Sequence, residues 1–312
     1  MDKHLSSCSR PLAEVLKCLS STVAEISDIL RVATSEYSGT SNAFGDTQLQ
    51  VDMQVDALIF ERLASCSHVG AASSEEQPGI KALNPEGRYS VVFDPLDGSS
   101  ILSANLAVGT IFGIWDTPSL LGQSCRHQVA AGYAVYGPRT LLVWAVPRSE
   151  ANGSSRPPVS STHVVTEFVL GRAGQWALSR EEVAIEASRN VFAPANLRAA
   201  ANNVEYNALV QRWISGNLTL RYTGGMVPDV HHILAKGGGI FCNPCSVQAP
   251  PKLRLLYECA PLALVIEAAH GMSSDGDCSL LDRVVMDSEA KSKVCLGSAD
   301  MVVESLPAMQ AH

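Results

Sequence analysis

The chain has 312 residues, 46% hydrophobic and 17% charged, with a net charge of -8. That length and apolar content suit one large domain or two packed halves around a sizeable core, and exclude a disordered chain. The negative charge argues against unaided nucleic-acid binding, and no run of about 18 consecutive apolar residues is present to span a membrane.

The N-terminal stretch MDKHLSSCSRPLAEVLKCL lacks the uninterrupted apolar segment of a secretory signal, and Gln310-Ala311-His312 is not an SKL-type address. The expected compartment is therefore the cytoplasm, with a peroxisome-like organelle as the alternative. Leu12, Val15, Leu16, Leu19, Val23, Ile26, Ile29 and Leu30 recur at steps that predict an amphipathic helix. Residues 35–45 are turn-rich and polar, and the helical period resumes from Asp46 to Leu63. Asp52 and Asp56 share one face of that second helix, where two acids repel and ask for a cation or a basic neighbour; a solvated acidic face gives the same spacing.

Glu75 and Glu76 close a loop of small residues. Val91, Val92 and Phe93 have the composition of a buried strand, which Asp94-Pro95-Leu96-Asp97 is expected to break into a turn because proline fixes its own φ and restricts the residue before it. Gly98, Ser99 and Ser100 then precede Ile101 and Leu102 and predict a helix start, whose unpaired N–H groups favour a phosphate. Ala107–Trp115 and His127–Val146 read as successive strands with Gly137-Pro138 as a turn. The Ser-, Gly- and Pro-rich run from Arg148 to Thr162 marks a seam that divides the chain into halves 1–155 and 156–312.

Beyond it, His163–Leu170 reads as a strand, Gly171–Trp176 as a hairpin turn and Glu205–Ile214 as a helix. Arg221 to Met226 lies between a short strand and a helical run from Asp229; an anion pocket and a plain glycine turn that carries an arginine fit equally. Lys252–Glu258 alternates like a half-exposed strand, with Lys252, Arg254 and Glu258 on one face, and the helix after it is expected to stop near Gly271. Nine cysteines are too sparse for a disulfide scaffold, and the single CxxC, Cys242 and Cys245, is expected in a surface loop.

Hard oxygen ligands and an anion cradle thus share the decapeptide Val91–Ser100. A carboxylate about 4 Å from a phosphate charge costs about 1 kcal/mol in water and about 4 at an effective dielectric of 20. Several acids beside a phosphate dianion therefore need a divalent cation between them, and all-oxygen ligation points to Mg²⁺, with Mn²⁺ as a substitute.

The run DPLDGSS (Asp94–Ser100), preceded by Ser74-Glu75-Glu76 and followed by VGTIFGIW (Val108–Trp115), resembles the fructose-bisphosphatase and sedoheptulose-bisphosphatase family. That family belongs to the lithium-sensitive, metal-dependent sugar and inositol phosphatases. The likeness runs from about Asp46 to about Ser305 and implies an α/β fold of stacked α-β-α-β-α layers, in two halves that each hold a mixed sheet. It implies metal ligation by Glu75, Asp94, the Leu96 carbonyl, Asp97 and Glu258, with Glu76, Asp52 and Asp56 near the attacking water. By the same resemblance, Gly98, Ser99 and Ser100 hold the cleaved phosphate, while Asn196, Arg198, Arg221, Tyr222, Gly224, Met226 and Lys252 hold the distal phosphate and sugar. In the fructose enzyme the residue matching Arg221 reaches a neighbouring subunit, which implies a homodimer, or a tetramer as the alternative.

The implied reaction is Mg²⁺-dependent hydrolysis of the C1 phosphate of sedoheptulose 1,7-bisphosphate, with fructose 1,6-bisphosphate as the alternative substrate. An inactive sugar-phosphate-binding regulator is the less favoured reading, since every expected ligand is present. Gly224-Gly225-Met226-Val227-Pro228-Asp229 replaces the Gly-Ser-Met-Val-Ala-Asp of fructose enzymes, Asn243 stands near where they carry a tyrosine, and Arg139 follows Gly137-Pro138 as in the seven-carbon enzymes. Ser35 and Thr40 occupy the places of the redox cysteines of plastid members, so that switch and a plastid home are not expected.

Overall fold

The computed structural model describes residues 1–33, 37–41, 47–148 and 158–311. Helix α1 (Arg10–Leu30) opens on Ser9, whose Oγ accepts from the Leu12 amide at 3.4 Å, and buries Leu12, Val15, Leu16, Leu19, Val23 and Ile26, most of the stripe read from the sequence. Next come the ribbon strands β1 (Tyr37–Ser41) and β2 (Thr47–Leu49), then α2 (Gln50–Ala64). Part of the stretch expected as polar turns is thus a strand, and the second helix begins at Gln50 rather than Asp46. Residues 34–36 and 42–46, Ser35 among them, lie outside the described residues, as does the side chain of Thr40.

Strands β3 (Val69–Ser74), β4 (Lys81–Ala82), β5 (Tyr89–Asp97), β6 (Val108–Trp115), β7 (Gln128–Tyr136) and β8 (Thr140–Pro147) follow, then a single helical turn, α3 (Val159–Thr162), and strands β9 (His163–Leu170) and β10 (Trp176–Arg180). These strands form one sheet in the order β10-β9-β8-β7-β6-β5-β3-β4. Within it only β3 and β5 pair in parallel, which makes the sheet mixed. The second sheet uses β11 (Val191–Pro194), β12 (Thr219–Leu220), β13 (Ile240–Asn243), β14 (Met272–Ser274) and β15 (Val294–Gly297) in the order β12-β11-β13-β15-β14. It too is mixed, parallel through β12-β11-β13 and antiparallel beyond. The residue boundary 155/156 falls outside the described residues, and β9 and β10 beyond it complete the first sheet.

The remaining helices are α4 (Val204–Ser215), α5 (Met226–Lys236), α6 (Ala260–Ala268) and α7 (Ala299–Gln310). Helices α1 and α2 cover one face of the large sheet, α5 and α6 fill the space between the sheets, and α4 and α7 cover the far face of the small sheet. Five layers result, α-β-α-β-α, as the resemblance implies. A sheet with helices on both faces needs apolar side chains on both, and β5 and β6 are buried at every residue. Trp115, Trp144, Phe93, Phe112 and Phe168 are among the largest fully buried side chains, each worth about 1.5–3 kcal/mol by burial. Among the described residues no helix is long and apolar enough to cross a membrane.

Several local expectations change. Asp94 to Asp97 do not leave the sheet: they form a bulge in β5, with Asp94 opposite Ile111 and Asp97 opposite Gly109, because β6 holds the strand on the far side of Pro95. Lys252 to Glu258 is no half-exposed strand: Arg254 and Glu258 are buried, and Leu255–Cys259 is a π turn that runs into α6. The left-handed residue after α6 is His270 (φ 67°), not Gly271. Cys242 is buried on β13, directly opposite Cys295 of β15, and not in a surface loop.

Polar contacts join the large sheet to α5. Tyr133 of β7 hydrogen-bonds His231 Nδ1 of α5 at 3.1 Å, and Arg180 of β10 donates to the Leu234 carbonyl at 3.0 Å while pairing with Glu167. Gly109 of β6 admits α5 closely, for a Cβ there would lie 2.4 Å from Val227. Burial pushes His231 down from 6.5 to about 4. The unfolded chain then takes up a proton that the folded chain refuses, so stability falls as pH drops from about 6.5 to about 4, by on the order of 3 kcal/mol at most. Denaturant unfolding across that range should show a shallower loss for His231→Gln than for wild type.

Candidate active site

The site is built where β3 and β5 end side by side. Past β3, residues 74–77 form a closed turn: the Ser74 amide donates to the Gln77 carbonyl at 3.3 Å, and the Gln77 amide to the Ser74 carbonyl at 3.2 Å and Oγ at 3.0 Å. Glu75 and Glu76 occupy its middle, and the Glu75 amide continues the parallel pairing by donating to the Phe93 carbonyl at 3.0 Å. On β5 the bulge is fixed by the Leu96 amide donating to Asp94 Oδ1 at 3.0 Å and by Thr110 Oγ1 donating to the Pro95 carbonyl at 2.8 Å. Glu258 comes from the π turn, where the Cys259 amide reaches the Arg254 carbonyl at 3.0 Å and the extra residue turns the carboxylate inward.

Carboxylate oxygens of Glu75, Asp94 and Glu258 lie within 4.8 Å of one another. Burial, then repulsion from Glu75, Asp97, Glu258 and Glu76, lifts Asp94 well above the usual carboxylate range. Burial and Glu75 lift Glu258 likewise. Arg254, only 3% exposed, brings Nε to 3.7 Å from Glu75 Oε1. One guanidinium cannot balance three converging acids, and an all-oxygen donor set of that charge fits a hard divalent cation. The cluster can therefore hold a metal ion.

Asp97 stands beside this group with another task. Its Oδ1 accepts from the Met226 amide at 3.1 Å and its Oδ2 from the Val227 amide at 2.6 Å, so a side chain of the large sheet caps the first turn of α5. Burial outweighs those bonds and moves it up to about 6. Each oxygen keeps a second lone pair for a further partner. Gly98 takes the left-handed conformation (φ 80°), which favours glycine, and leads into a 3₁₀ helix, Ser99–Ala104, instead of an α-helix. The first N–H groups of that helix, at Ser99 and Ser100, lack intrahelical acceptors. Asp52 and Asp56 are both buried on α2, 3% and 2% exposed, so their shared face is no solvated stripe. Asp56 accepts from Gln77 Nε2, and burial raises it.

The C-terminal half contributes unequally. Asn196, left-handed at φ 48°, spends its Nδ2 donors on the carbonyls of Pro244 (2.8 Å) and Ala249 (3.0 Å), which makes it a loop fastener. Arg198, Arg221 and Lys252 are exposed, and Tyr222 is 47% exposed. The Tyr222 phenol is pushed up by burial and by the charge of Asp229, with Arg198 opposing. Arg221 donates to its neighbour's carbonyl at Leu220, and the Lys252 carbonyl accepts from Arg254. Met226 is buried and contributes its amide to Asp97. Gly224 (φ 104°) lies in a loop held by Asp229, which accepts from the Thr223 amide at 2.8 Å and the Gly224 amide at 3.3 Å.

Sequence reasoning missed Arg254 and Asp229 as members of the site. Arg254 looked like one position of a half-exposed strand, and its signal, a charge inside an apolar run two residues before Leu-Tyr-Glu, is too common to single it out. A cleft of about 410 Å³ lined by Arg126, His127 and His163 lies elsewhere and shares no lining residue with the acids. Charge, not cavity size, marks the site.

This fold agrees with comparisons to known proteins. The chain belongs to the fructose-1,6-bisphosphatase family of sugar bisphosphatases, its residues 2–154 matching the family's N-terminal domain and 185–310 its C-terminal domain. Among its relatives, the chloroplastic sedoheptulose-1,7-bisphosphatase of Triticum aestivum is 41% identical, the match covering 94% of this chain and 71% of that protein. The fructose-1,6-bisphosphatase class 1 of Pelobacter propionicus is 37% identical over 88% of this chain and 81% of its own length. A crystal structure from Toxoplasma gondii, assigned provisionally as a sedoheptulose-1,7 bisphosphatase, superposes with a TM-score of 0.89 at 35% identity, covering 97% of this chain and 95% of that one. The fructose-1,6-bisphosphatase of Leishmania major in holo form follows with a TM-score of 0.86 at 27% identity, covering 97% and 96%.

Two substitutions separate the capping acid from the clustered one. Asp97→Asn replaces one of two acceptors facing backbone amides and should cost about 1–3 kcal/mol, read as a lower melting temperature. Asp94→Asn should melt no lower than wild type in chelator, since it removes a repelling charge, yet lose the stabilisation that a divalent ion gives wild type, about 2.7 kcal/mol at a hundredfold excess over Kd.

Proposed function

We propose that the protein hydrolyses the C1 phosphate of sedoheptulose 1,7-bisphosphate in the presence of Mg²⁺, releasing sedoheptulose 7-phosphate and inorganic phosphate. The observation that carries this reading is the convergence of Glu75, Asp94 and Glu258 beside the Gly98–Ser100 backbone turn. Glu75, Asp94, Glu258, Asp97 and the Leu96 carbonyl would hold the divalent ions. When bound, such ions supply Lewis-acid polarisation of the phosphoryl group and lower the pKa of water. The amides of Ser99 and Ser100 orient the phosphate being cleaved, and Glu76, next to a ligand in the same turn, accepts the proton of the attacking water. Arg198, Tyr222 and Lys252 receive the far end of the sugar, with the exposed Arg221 at the small sheet's edge.

The seven-carbon sugar is favoured by the Gly224–Asp229 sequence and by the small Asn243. Fructose 1,6-bisphosphate is the second reading, supported by the identity shared with class 1 fructose enzymes. A homodimer is proposed as well: β12 is an edge strand, and Leu220 and Tyr222 beside Arg221 are 54% and 47% exposed.

Phosphate release from the two bisphosphates, with Mg²⁺ and with chelator, tests the reading. Turnover of the seven-carbon sugar at the higher kcat/KM, abolished by chelator, is expected; turnover of neither sugar overturns it. Glu76→Gln should lower kcat about 10²- to 10⁴-fold with KM little changed. Light scattering of Arg221→Ala against wild type reads the assembly, and a wild-type monomer would refute the dimer.

A further inference from the structure

The turn that carries both glutamates is fastened from outside by a side chain that the reaction as proposed does not use. Gln77 closes residues 74–77 through its backbone, so any displacement of Gln77 carries Glu75 and Glu76 with it. Its side chain leaves the turn in the direction of α2. Nε2 donates to Oδ2 of the buried Asp56, and Oε1 accepts from Nζ of Lys81. Lys81 in turn lies over the ring of Phe60, 4.1 Å from its centroid. Asp56 and Phe60 stand one helical turn apart on α2, which makes the attachment two-pronged.

A primary amide is suited to this place because it donates to a carboxylate and accepts from an ammonium at once, without charge. A glutamate here would face Asp56 with a like charge, and an apolar residue would leave a buried carboxylate oxygen without its donor. The arrangement also explains why Asp56 is buried with its Oδ2 turned to Gln77.

We infer that Gln77 is a positioning residue for the Glu75–Glu76 pair, and that Asp56 acts through Gln77 as the anchor of that turn, not as an acid that touches the reacting atoms. The inference rests on the proposed roles of Glu75 as ligand and Glu76 as proton acceptor. A displacement of about 1 Å in a catalytic group costs on the order of 10²-fold in rate, so the clamp should be visible in turnover.

The test uses Gln77→Ala, Gln77→Glu, Asp56→Asn and the Asp56→Asn/Gln77→Ala double variant of the full chain. For each, kcat, KM, melting temperature and, by calorimetry without sugar, Mg²⁺ affinity are measured. Gln77→Ala should lose about 10- to 100-fold in kcat and about tenfold in Mg²⁺ affinity while KM stays within about twofold and the protein remains folded. Gln77→Glu should be at least as impaired. Because both residues belong to one clamp, the double variant should be no worse than the poorer single. Wild-type kcat and Mg²⁺ affinity in Gln77→Ala, or losses that multiply in the double variant, overturn the inference. If wild type cleaves neither sugar, the proposed function fails, and the Mg²⁺ affinities still decide the role of Gln77.

Discussion

Glu75, Asp94 and Glu258 are held together against their own repulsion, and the architecture around them is what makes that tolerable. Each comes from a different backbone device: a closed four-residue turn, a strand bulge and a π turn. None of the three is free to swing apart, because the turn is stitched to Phe93, the bulge to Thr110 and the π turn to the helix that fills the space between the sheets. The energy needed to keep them in place comes from the apolar core beneath, where both faces of the large sheet are covered. A fold that places unfavourable charge so deliberately has sacrificed stability for a cation-binding geometry.

Asp97 extends the same economy to the relation between the large sheet and α5. Instead of a neutral capping residue within its own helix, α5 takes a carboxylate from the large sheet. The acid that closes the cluster on one side is thereby also the contact by which α5 is registered on the large sheet. Nearby, Asp229 gathers the amides of Thr223 and Gly224, so the loop that bears the exposed Arg221 and Tyr222 is aligned from the same helix.

Much of this was legible in the sequence. The layered fold, the helix stripe of α1, strands β6 to β9 and the acids themselves follow from period, composition and the DPLDGSS run, because those signals are local. What escaped depends on partners distant in the chain. No local signal says that Pro95 sits in a bulge, since that is decided by how β6 pairs across it. Nor does the charge spacing over 252–258 reveal the π turn at Leu255–Cys259, because the extra residue of an i→i+5 turn leaves no mark in the local pattern. Cys242 was misplaced for the same reason: the opposing Cys295 comes from another segment.

The junction between the large sheet and α5 has a mechanical meaning. Prising the two sheets apart like a clamshell would tear Asp97 from two amides, Arg180 from the Leu234 carbonyl and Tyr133 from His231, and would undo the fit of Val227 against Gly109. Such a joint behaves as a weld. A sugar phosphate must then enter and leave past exposed side chains at the rim, while the frame beneath them stays still.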